Sequence, residues 1–241
     1  MTYILILFLT YVLHLLLKLN WVCTAVVLVF LLVMQHFHRI KGQRFQEARK
    51  RFLDVSLYID TLLYSFLKEQ KIIRAFEDVK STLADGHMKE TVSRAIDHMM
   101  LTFDETEVFV DAMRIIEDEY KCNRIVNAHE FMAHAEYYGG DIKESARILL
   151  KDKSAWERRI LRNIEDRQRM FHQIILSVVT SVIISGIILY LPVLSMDISS
   201  NIIVQILSVA LIVLDDLIIL WGQKFLEVDY LGIELLPEDD K

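Results

Sequence analysis

Residues 170–192 read MFHQIILSVVTSVIISGIILYLP, and from Ile174 to Pro192 this run carries no charged side chain. A helix needs about 20 predominantly apolar residues to cross the hydrocarbon of a bilayer. The run meets that length and predicts a transmembrane helix. Three more apolar stretches accompany it, at 2–17, 21–34 and roughly 202–221. The chain is therefore expected to be an all-α integral membrane protein.

The first two apolar stretches are short when taken singly. Together they run from Thr2 to His36, which is too long for one span, and Lys18-Leu19-Asn20 interrupts them. This interruption favours a hairpin of two short, tilted helices. A cleaved signal peptide is the alternative, but residues 1–17 lack a basic leader and a small-x-small cleavage site. We expect the segment to be retained as a membrane anchor.

Basic residues crowd two of the membrane ends, which predicts that both ends are cytoplasmic. The region after the second stretch carries Arg39, Lys41, Arg44, Arg49, Lys50 and Arg51, against the single acidic residue Glu47. The region before the third carries Arg158, Arg159, Arg162, Arg167 and Arg169. Both termini are then cytoplasmic as well, and the loop 195–201 faces outward. The expected location is the cytoplasmic membrane.

These boundaries divide the chain into a transmembrane hairpin (1–38), a cytoplasmic helical-hairpin bundle (39–169), a second transmembrane pair (170–222) and an acidic cytoplasmic tail (223–241). The bundle holds 24 basic and 24 acidic residues. A neutral domain argues against nucleic acid as a partner. Its basic ends are more simply signals of topology that also contact anionic lipid head groups of the bilayer.

The bundle is predicted to be helical almost throughout, in about six helices. It has no proline, and its apolar residues recur at intervals of three and four, as in Val55, Ile59, Leu62, Leu63 and Phe66. Capping patterns begin at Thr102, Asp141 and Ser154, and glycine breaks fall at Asp85-Gly86 and Gly139-Gly140. The last helix, beginning at Asp141 or Ser154, is expected to run unbroken into the third apolar stretch.

No stretch of the chain predicts catalysis, a cofactor or a metal site. His129-Glu-Phe-Met-Ala-His134 resembles a zinc-protease motif with one residue too many. Histidines five apart lie about 140° apart around a helix, so they cannot share one zinc ion, and we expect both to be polar surface residues. Cys23 and Cys122 are too few for a disulfide framework or a metal site. Both are expected to be small buried apolar residues.

Asp215 and Asp216 lie inside the fourth apolar stretch, where charges are costly and usually face a partner. Two interpretations stay open. A short, tilted span lets the pair reach the cytoplasmic interface, or the pair makes a buried polar contact among the spans.

Four segments, in this order, resemble the type II secretion system protein F family, in the short form of the Tad-pilus platform proteins. The segment 67–79 contains Ala75-Phe76 and resembles the first helical repeat, and 110–117 contains Ala112-Met113 and is similar to the next. The segment 134–142, with Glu136, Gly139 and Gly140, resembles the family's Glu-x-x-Gly-Gly turn. The segment 147–160 resembles the basic helix that enters the membrane. Two features depart from the family pattern, namely Glu69-Gln70-Lys71 in place of a glycine, and the acidic pair of the last span.

The resemblance implies a non-enzymatic platform for a type IV pilus, Tad or type II secretion machine. Its implied partners are the secretion or pilus ATPase, pilins or pseudopilins, and a homologous platform subunit or further copies of itself. The residues expected to contact partners or transmit movement are Glu136, Gly139, Gly140, Asp215 and Asp216. Two alternatives remain open: a membrane-anchored helical scaffold or adaptor outside secretion, and a small transporter subunit that uses Asp215 and Asp216.

Overall fold

The structure, a computed structural model, describes residues 2–101, 108–139, 142–191, 201–226 and 230–231, and these residues form helices and turns with no strand. This confirms the all-α class. The helices are α1 (Thr2–Leu16), α2 (Trp21–Glu69), α3 (Ile72–Thr82), α4 (His87–Leu101), α5 (Val108–Tyr120), α6 (Asn123–Tyr138), α7 (Ile142–Leu189) and α8 (Ile202–Lys224). Helix α7 passes Trp156, Ile160 and Ile164 without a break, as the sequence predicts.

The chain divides into two compact units. The apolar unit comprises residues 1–46 and 163–228, and the helical unit comprises 47–162 and 229–241. Helices α2 and α7, of 49 and 48 residues, each contribute residues to both units. The sequence predicts the long α7, but it does not predict that α2 is equally long. The sequence-based boundaries after residues 38 and 169 therefore lie inside these two helices.

Three described helices, α2, α7 and α8, are long and apolar enough to span a membrane. Helix α1 has 15 residues, about 22 Å of helix, and is shorter than a typical span. Much of the apolar unit's surface is itself apolar, including Phe8, Val22, Leu176 and Ile206, which are 59–73% exposed. Exposed apolar area of this extent is typical of a surface that contacts lipid.

The core of the helical unit is the stripe that the sequence predicts on α2. Val55, Ile59, Leu62, Leu63 and Phe66 are each at most 1% exposed. Helix α4 packs on α3 and α5, and α6 packs on α5 and α3. Trp156 of α7 lies fully buried in the same core, with its ring centroid 5.1 Å from that of Phe52. Spacing of three and four residues thus identifies the buried face, because it matches one side of a helix.

The helix ends agree with some predicted signals and contradict one. Breaks occur at 83–86 and at Gly139, which adopts a φ of 68°. The predicted cap at Ser154 is wrong: this residue lies inside α7, and its hydroxyl donates to the Leu150 carbonyl. A serine inside a helix makes this bond to the preceding turn when the backbone N–H groups ahead are already paired. The capping residues Thr102 and Asp141, the loop 195–200 and most of the tail lie outside the described residues.

Candidate functional site

Asp215 and Asp216 lie side by side on α8 but have different surroundings within the apolar unit. Asp215 is 8% exposed, and its Oδ2 has no hydrogen-bond partner among the described residues. The Oδ1 of Asp216 lies 3.1 Å from Nε2 of His38 on α2, while its Oδ2, like that of Asp215, is buried without a partner among the described residues. Adjacent helical residues point about 100° apart, which explains why only one of the two carboxylates reaches α2.

His38 connects α2 to α8 through both of its ring nitrogens. Its Nδ1 lies 2.9 Å from Oε1 of Gln223, in addition to the Nε2 contact with Asp216. The Asp216 carboxylate accepts from Nε2, and the Gln223 amide can accept from or donate to Nδ1, so the ring bridges both side chains. Lys41, three residues further along α2, donates to the Leu220 carbonyl at 3.3 Å. The geometry makes Asp216 part of a polar contact between helices, while the depth of the pair in a bilayer stays a prediction.

A groove of about 450 Å³ lies beside Asp215, between α7 and α8. Its polar lining consists of Asp215 together with Gln173, Ser177 and Ser181, and its remaining lining is apolar. The three α7 residues recur every fourth position and therefore share one side of that helix. Gln173 and Ser177 are exposed, and Ser181 is half-buried. The groove combines hydrogen-bond donors with an unpaired acceptor on a mostly apolar surface.

The turn between α1 and α2 is held by a side chain of α8 that the sequence analysis does not identify. Gln205 is fully buried; it accepts from the Asn20 N–H at 2.8 Å and donates to the Lys18 carbonyl at 2.9 Å. Lys18 has a φ of 48° and donates to the Leu189 carbonyl at 3.3 Å. A polar residue that is buried must be paired in this way, because an unpaired amide in an apolar setting is costly. Gln205 thus stabilises the predicted hairpin tip.

Gly186 of α7 allows a close approach to α1. A Cβ atom built on Gly186 would lie 2.5 Å from Cγ of Leu16, well inside van der Waals contact. Small residues at such crossings let transmembrane helices approach closely. Any larger residue here therefore requires the Leu16 side chain or the two helices to shift.

Glu136 and Gly139 lie at the end of α6 in the helical unit. One carboxylate oxygen of Glu136 accepts from the backbone N–H of Ile72 at 3.0 Å. Helix α3 begins at Ile72, and the residue before it, Lys71, makes no capping hydrogen bond with its side chain. Glu136 therefore caps α3 from another helix, with the favourable placement of a negative charge at a helix N-terminus.

Gly139 ends α6 in a backbone conformation that favours glycine. Its φ is 68°, and a Cβ added to it would meet nothing within 4 Å. The constraint at this position is thus conformational rather than steric. Gly140, the second glycine of the predicted turn, lies outside the described residues.

A matched pair of variants separates the structural role of Glu136 from a role in partner binding. Glu136→Ala removes the acceptor for the Ile72 N–H, so we expect the free energy of unfolding to fall by about 1 kcal/mol, a typical loss for a cap. Glu136→Gln keeps an acceptor oxygen and should retain most of that stability. Thermal unfolding in detergent, followed by circular dichroism, measures both. Equal stability of the alanine variant and the wild type would contradict the capping role.

His129 is buried rather than on the surface, which corrects the sequence-based expectation. It is 1% exposed; its Nε2 lies 2.6 Å from the Tyr58 hydroxyl, and its Nδ1 lies 2.7 Å from a Glu117 carboxylate oxygen. His134, the second histidine of the motif, is exposed as expected. The two histidines of the six-residue motif lie on different faces of α6, one buried and one exposed, because residues five apart point in different directions.

The three side chains form a polar contact between α2, α5 and α6. Burial lowers the pKa of His129 even though the Glu117 hydrogen bond and charge oppose that shift. Burial also raises the pKa of Tyr58 well above its ordinary value, with the Glu117 charge adding to the effect. A neutral His129 that donates from Nδ1 to Glu117 and accepts at Nε2 from the Tyr58 hydroxyl pairs every polar atom of the ring.

Lys153 of α7 is a second buried polar residue, 1% exposed, that ion-pairs with Asp60 of α2 and with Glu157. Burial acts to raise the pKa of Glu157. Hydrogen bonds from Lys153 and Ser56, and the charge of Lys153, outweigh the effect of burial, so the pKa of Glu157 is lowered. The spacing of Lys153 and Glu157 by four residues is visible in the sequence as an ordinary helix pair. Asp60 lies 93 residues away from Lys153, and the sequence carries no signal that joins them.

No protein-family model matches the chain, and neither a curated protein nor a solved structure matches it at a significant level. Among the described residues, no group of three or more His, Cys, Asp or Glu side chains is placed to hold a metal ion. Asp215 and Asp216 belong to the apolar unit, and Glu136 and Gly139 to the helical unit.

Proposed function

We propose that this chain is a non-enzymatic platform protein of a pilus or type II secretion assembly machine in the cytoplasmic membrane. In this role it couples a partner ATPase to the extraction of pilins or pseudopilins from the bilayer. The observation that carries the proposal is α7, a single helix of 48 residues from Ile142 to Leu189. Its first part contributes to the core of the helical unit, and its last part is long and apolar enough to span a membrane.

Each of the four segments that resemble the protein F family lies within a helix or at a junction between two helices. The segment 67–79 covers the end of α2 and most of α3, and 110–117 lies within α5. The segment 134–142 joins α6 to α7, and 147–160 lies within α7. Such a chain can transmit a displacement from the α6–α7 junction along α7, because a helix in a packed core is stiff along its axis. This supports a mechanical function and leaves ATP hydrolysis to the partner.

The proposed topology predicts where reporter fusions are active. A reporter that works only in the cytoplasm should be active when it is fused after Lys121 or after Lys241, and inactive after Ser199. The reason is that the basic residues at both ends of 39–169 are retained on the cytoplasmic side. A second reporter, active only outside the cytoplasmic membrane, should give the reverse pattern at the same three positions. Cytoplasmic activity at Ser199 would contradict the four-span arrangement.

The platform function is tested by isolating the intact protein from membranes of its own cell. We expect it to co-purify with a hexameric secretion ATPase and with pilins, and to show no ATPase activity when purified alone. Glu136→Gln is the informative variant because it keeps the cap on α3 while it removes the charge. Loss of ATPase binding in this variant at unchanged stability would make Glu136 a partner residue.

Two other results would favour the alternative functions. Recovery of a stable complex that contains neither an ATPase nor a pilin would favour a scaffold or adaptor outside secretion. Dissipation of a proton gradient by the protein in liposomes, abolished by Asp215→Asn, would favour a transporter subunit. Each of these results would reject the platform proposal.

A further inference from the structure

The segment that follows α8 contributes to the core of the helical unit. Helix α8 ends at Lys224 in the apolar unit, whereas Tyr230 and Leu231 belong to the helical unit. Tyr230 is 1% exposed and Leu231 is 7% exposed. The sequence analysis assigns both residues to an acidic tail. Their burial instead makes them part of a folded core, because a buried tyrosine removes about 150–250 Å² of surface from water.

Tyr230 belongs to a series of aromatic contacts that joins distant parts of the chain. Its ring centroid lies 6.5 Å from that of Phe52 on α2, and the Phe52 centroid lies 5.1 Å from that of Trp156 on α7. Both pairs are edge-to-face, an arrangement that stabilises beyond the burial of area. The Arg124 guanidinium lies 5.4 Å from the centroid of the Trp156 ring, which brings the start of α6 into the same series. Loss of Tyr230 would remove an aromatic neighbour of Phe52.

The connection from α8 to Tyr230 is too short to cross a membrane. Tyr230 follows Lys224 by six residues, which span at most about 22 Å of extended chain, less than the roughly 30 Å of a hydrocarbon core. Arg167 of α7 donates to the Phe225 carbonyl at 2.6 Å, which fixes the end of α8 on α7. The end of α8 therefore lies on the same side of the membrane as the helical unit, and α8 delivers Tyr230 to that side.

We propose that Tyr230 and Leu231 form a latch that closes the core of the helical unit. The rest of this core, as described, comes from residues that precede α8. The core is thus still open at Phe52 when α7 has been made, and it closes only after the chain has passed through α8. The helical unit then reaches its final form only in a chain whose last span is in place. This latch extends beyond the proposed function and does not depend on it.

The test measures how often the core opens, with Cys122 as the reporter. Cys122 is 1% exposed and lies two residues before Arg124, so a maleimide reaches its thiol only when the start of α6 opens. Cys23→Ala removes the other thiol of the described residues. In this background, the full chain is compared in detergent with chains that end after Leu226 and after Leu231. Both shortened chains lack residues 232–241, but only the second keeps the latch.

The two shortened chains should differ strongly in their labelling rates. The chain that ends after Leu226 should be labelled at least about tenfold faster than the full chain, because loss of a buried aromatic side chain raises the open fraction of a core by that factor or more. The chain that ends after Leu231 should stay within about twofold of the full chain, as expected for a change outside the core.

Single substitutions in the full chain repeat the comparison without shortening it. Tyr230→Ala removes the ring and should be labelled as fast as the chain that ends after Leu226. Tyr230→Phe keeps the ring in contact with Phe52 and should be labelled at nearly the rate of the full chain. Circular dichroism checks that the helix content of each variant is unchanged.

Three results would overturn the proposal. The first is slow labelling of the chain that ends after Leu226, which would mean that the core closes without the latch. The second is fast labelling of the chain that ends after Leu231, which would assign closure to residues 232–241. The third is an equal rate in Tyr230→Ala and Tyr230→Phe, which decides the matter even where a shortened chain does not fold. None of these results depends on pilus assembly, so the platform function can fail or succeed separately.

Discussion

Replacing Ile160 with proline is expected to stop pilus assembly while the protein still inserts into the membrane. Proline removes the backbone N–H that bonds one turn back in α7, and its ring clashes with that carbonyl, at a cost of about 3 kcal/mol or more. Ile160 is 1% exposed and lies one turn beyond Trp156, a core residue of the helical unit. The kink therefore falls inside the helix proposed to transmit movement. Counting surface pili by electron microscopy and probing membrane fractions for the protein measure the two outcomes.

Ile160→Val is the matched control for this prediction. It keeps the helix and most of the buried volume, with an expected loss of about 1 kcal/mol, and it should assemble pili normally. Ile164→Pro, at a residue 3% exposed, repeats the test one turn further along α7. Normal assembly by either proline variant, with the protein present at wild-type level, would reject a mechanical role for α7.

Replacing His129 with leucine is expected to lower the free energy of unfolding by about 2–3 kcal/mol, because it leaves buried polar partners unpaired. The change keeps a similar volume but removes both ring nitrogens. The Tyr58 hydroxyl and the Glu117 carboxylate then lose their hydrogen bonds to the ring. Urea unfolding of the full chain in detergent micelles, followed by circular dichroism, measures the difference.

The pH dependence of stability distinguishes a buried neutral histidine from a simple packing residue. In the folded state, burial lowers the pKa of His129 below its ordinary value of 6.5. Below pH 6.5 the unfolded chain therefore binds more protons than the folded chain. Stability is then lost as the pH falls from 6.5 toward the lowered pKa, by up to about 1.4 kcal/mol per pH unit for one proton. Above pH 6.5 this contribution does not change. His129→Leu should lose stability less steeply over the acidic range than the wild type.

His134→Leu is the control for this experiment, because His134 is exposed on the same helix. It should leave both the stability near pH 7.5 and the slope below pH 6.5 close to wild type. An identical slope in His129→Leu and the wild type would show that His129 is not the group whose protonation destabilises the fold.

Much of the helical framework can be predicted from the sequence because its signals are local. The stripe from Val55 to Phe66 identifies the buried face of α2, since periodicity reports directly on which side of a helix is apolar. The interruption at Lys18-Leu19-Asn20 and the glycine at Gly139 identify two helix ends. Trp156, Ile160 and Ile164 predict a continuous α7. The length of α2 is not predicted, because the sequence places a domain boundary after residue 38, where the basic residues begin, although basic residues do not interrupt a helix.

The candidate site is predicted less completely because its residues meet partners that are distant in the chain. The sequence singles out Asp215 and Asp216 as charges in an apolar stretch, but it cannot tell which of the two contacts His38. The contact of Asp216 with His38 spans 178 residues, and no local pattern encodes it. Glu136 is found through a resemblance to a turn, whereas its observed contact caps the start of α3.

The amino-acid sequence is sufficient to predict that the chain is helical, which stretches are long and apolar, and which face of α2 is buried. These properties follow from residue type and from spacing within one helix. The partners of the buried polar groups depend on helix packing: Gln205 meets the α1–α2 turn, His129 meets Tyr58 and Glu117, and Lys153 meets Asp60. Burying a polar group is costly unless another polar group pairs with it. Where that group comes from depends on how the helices pack.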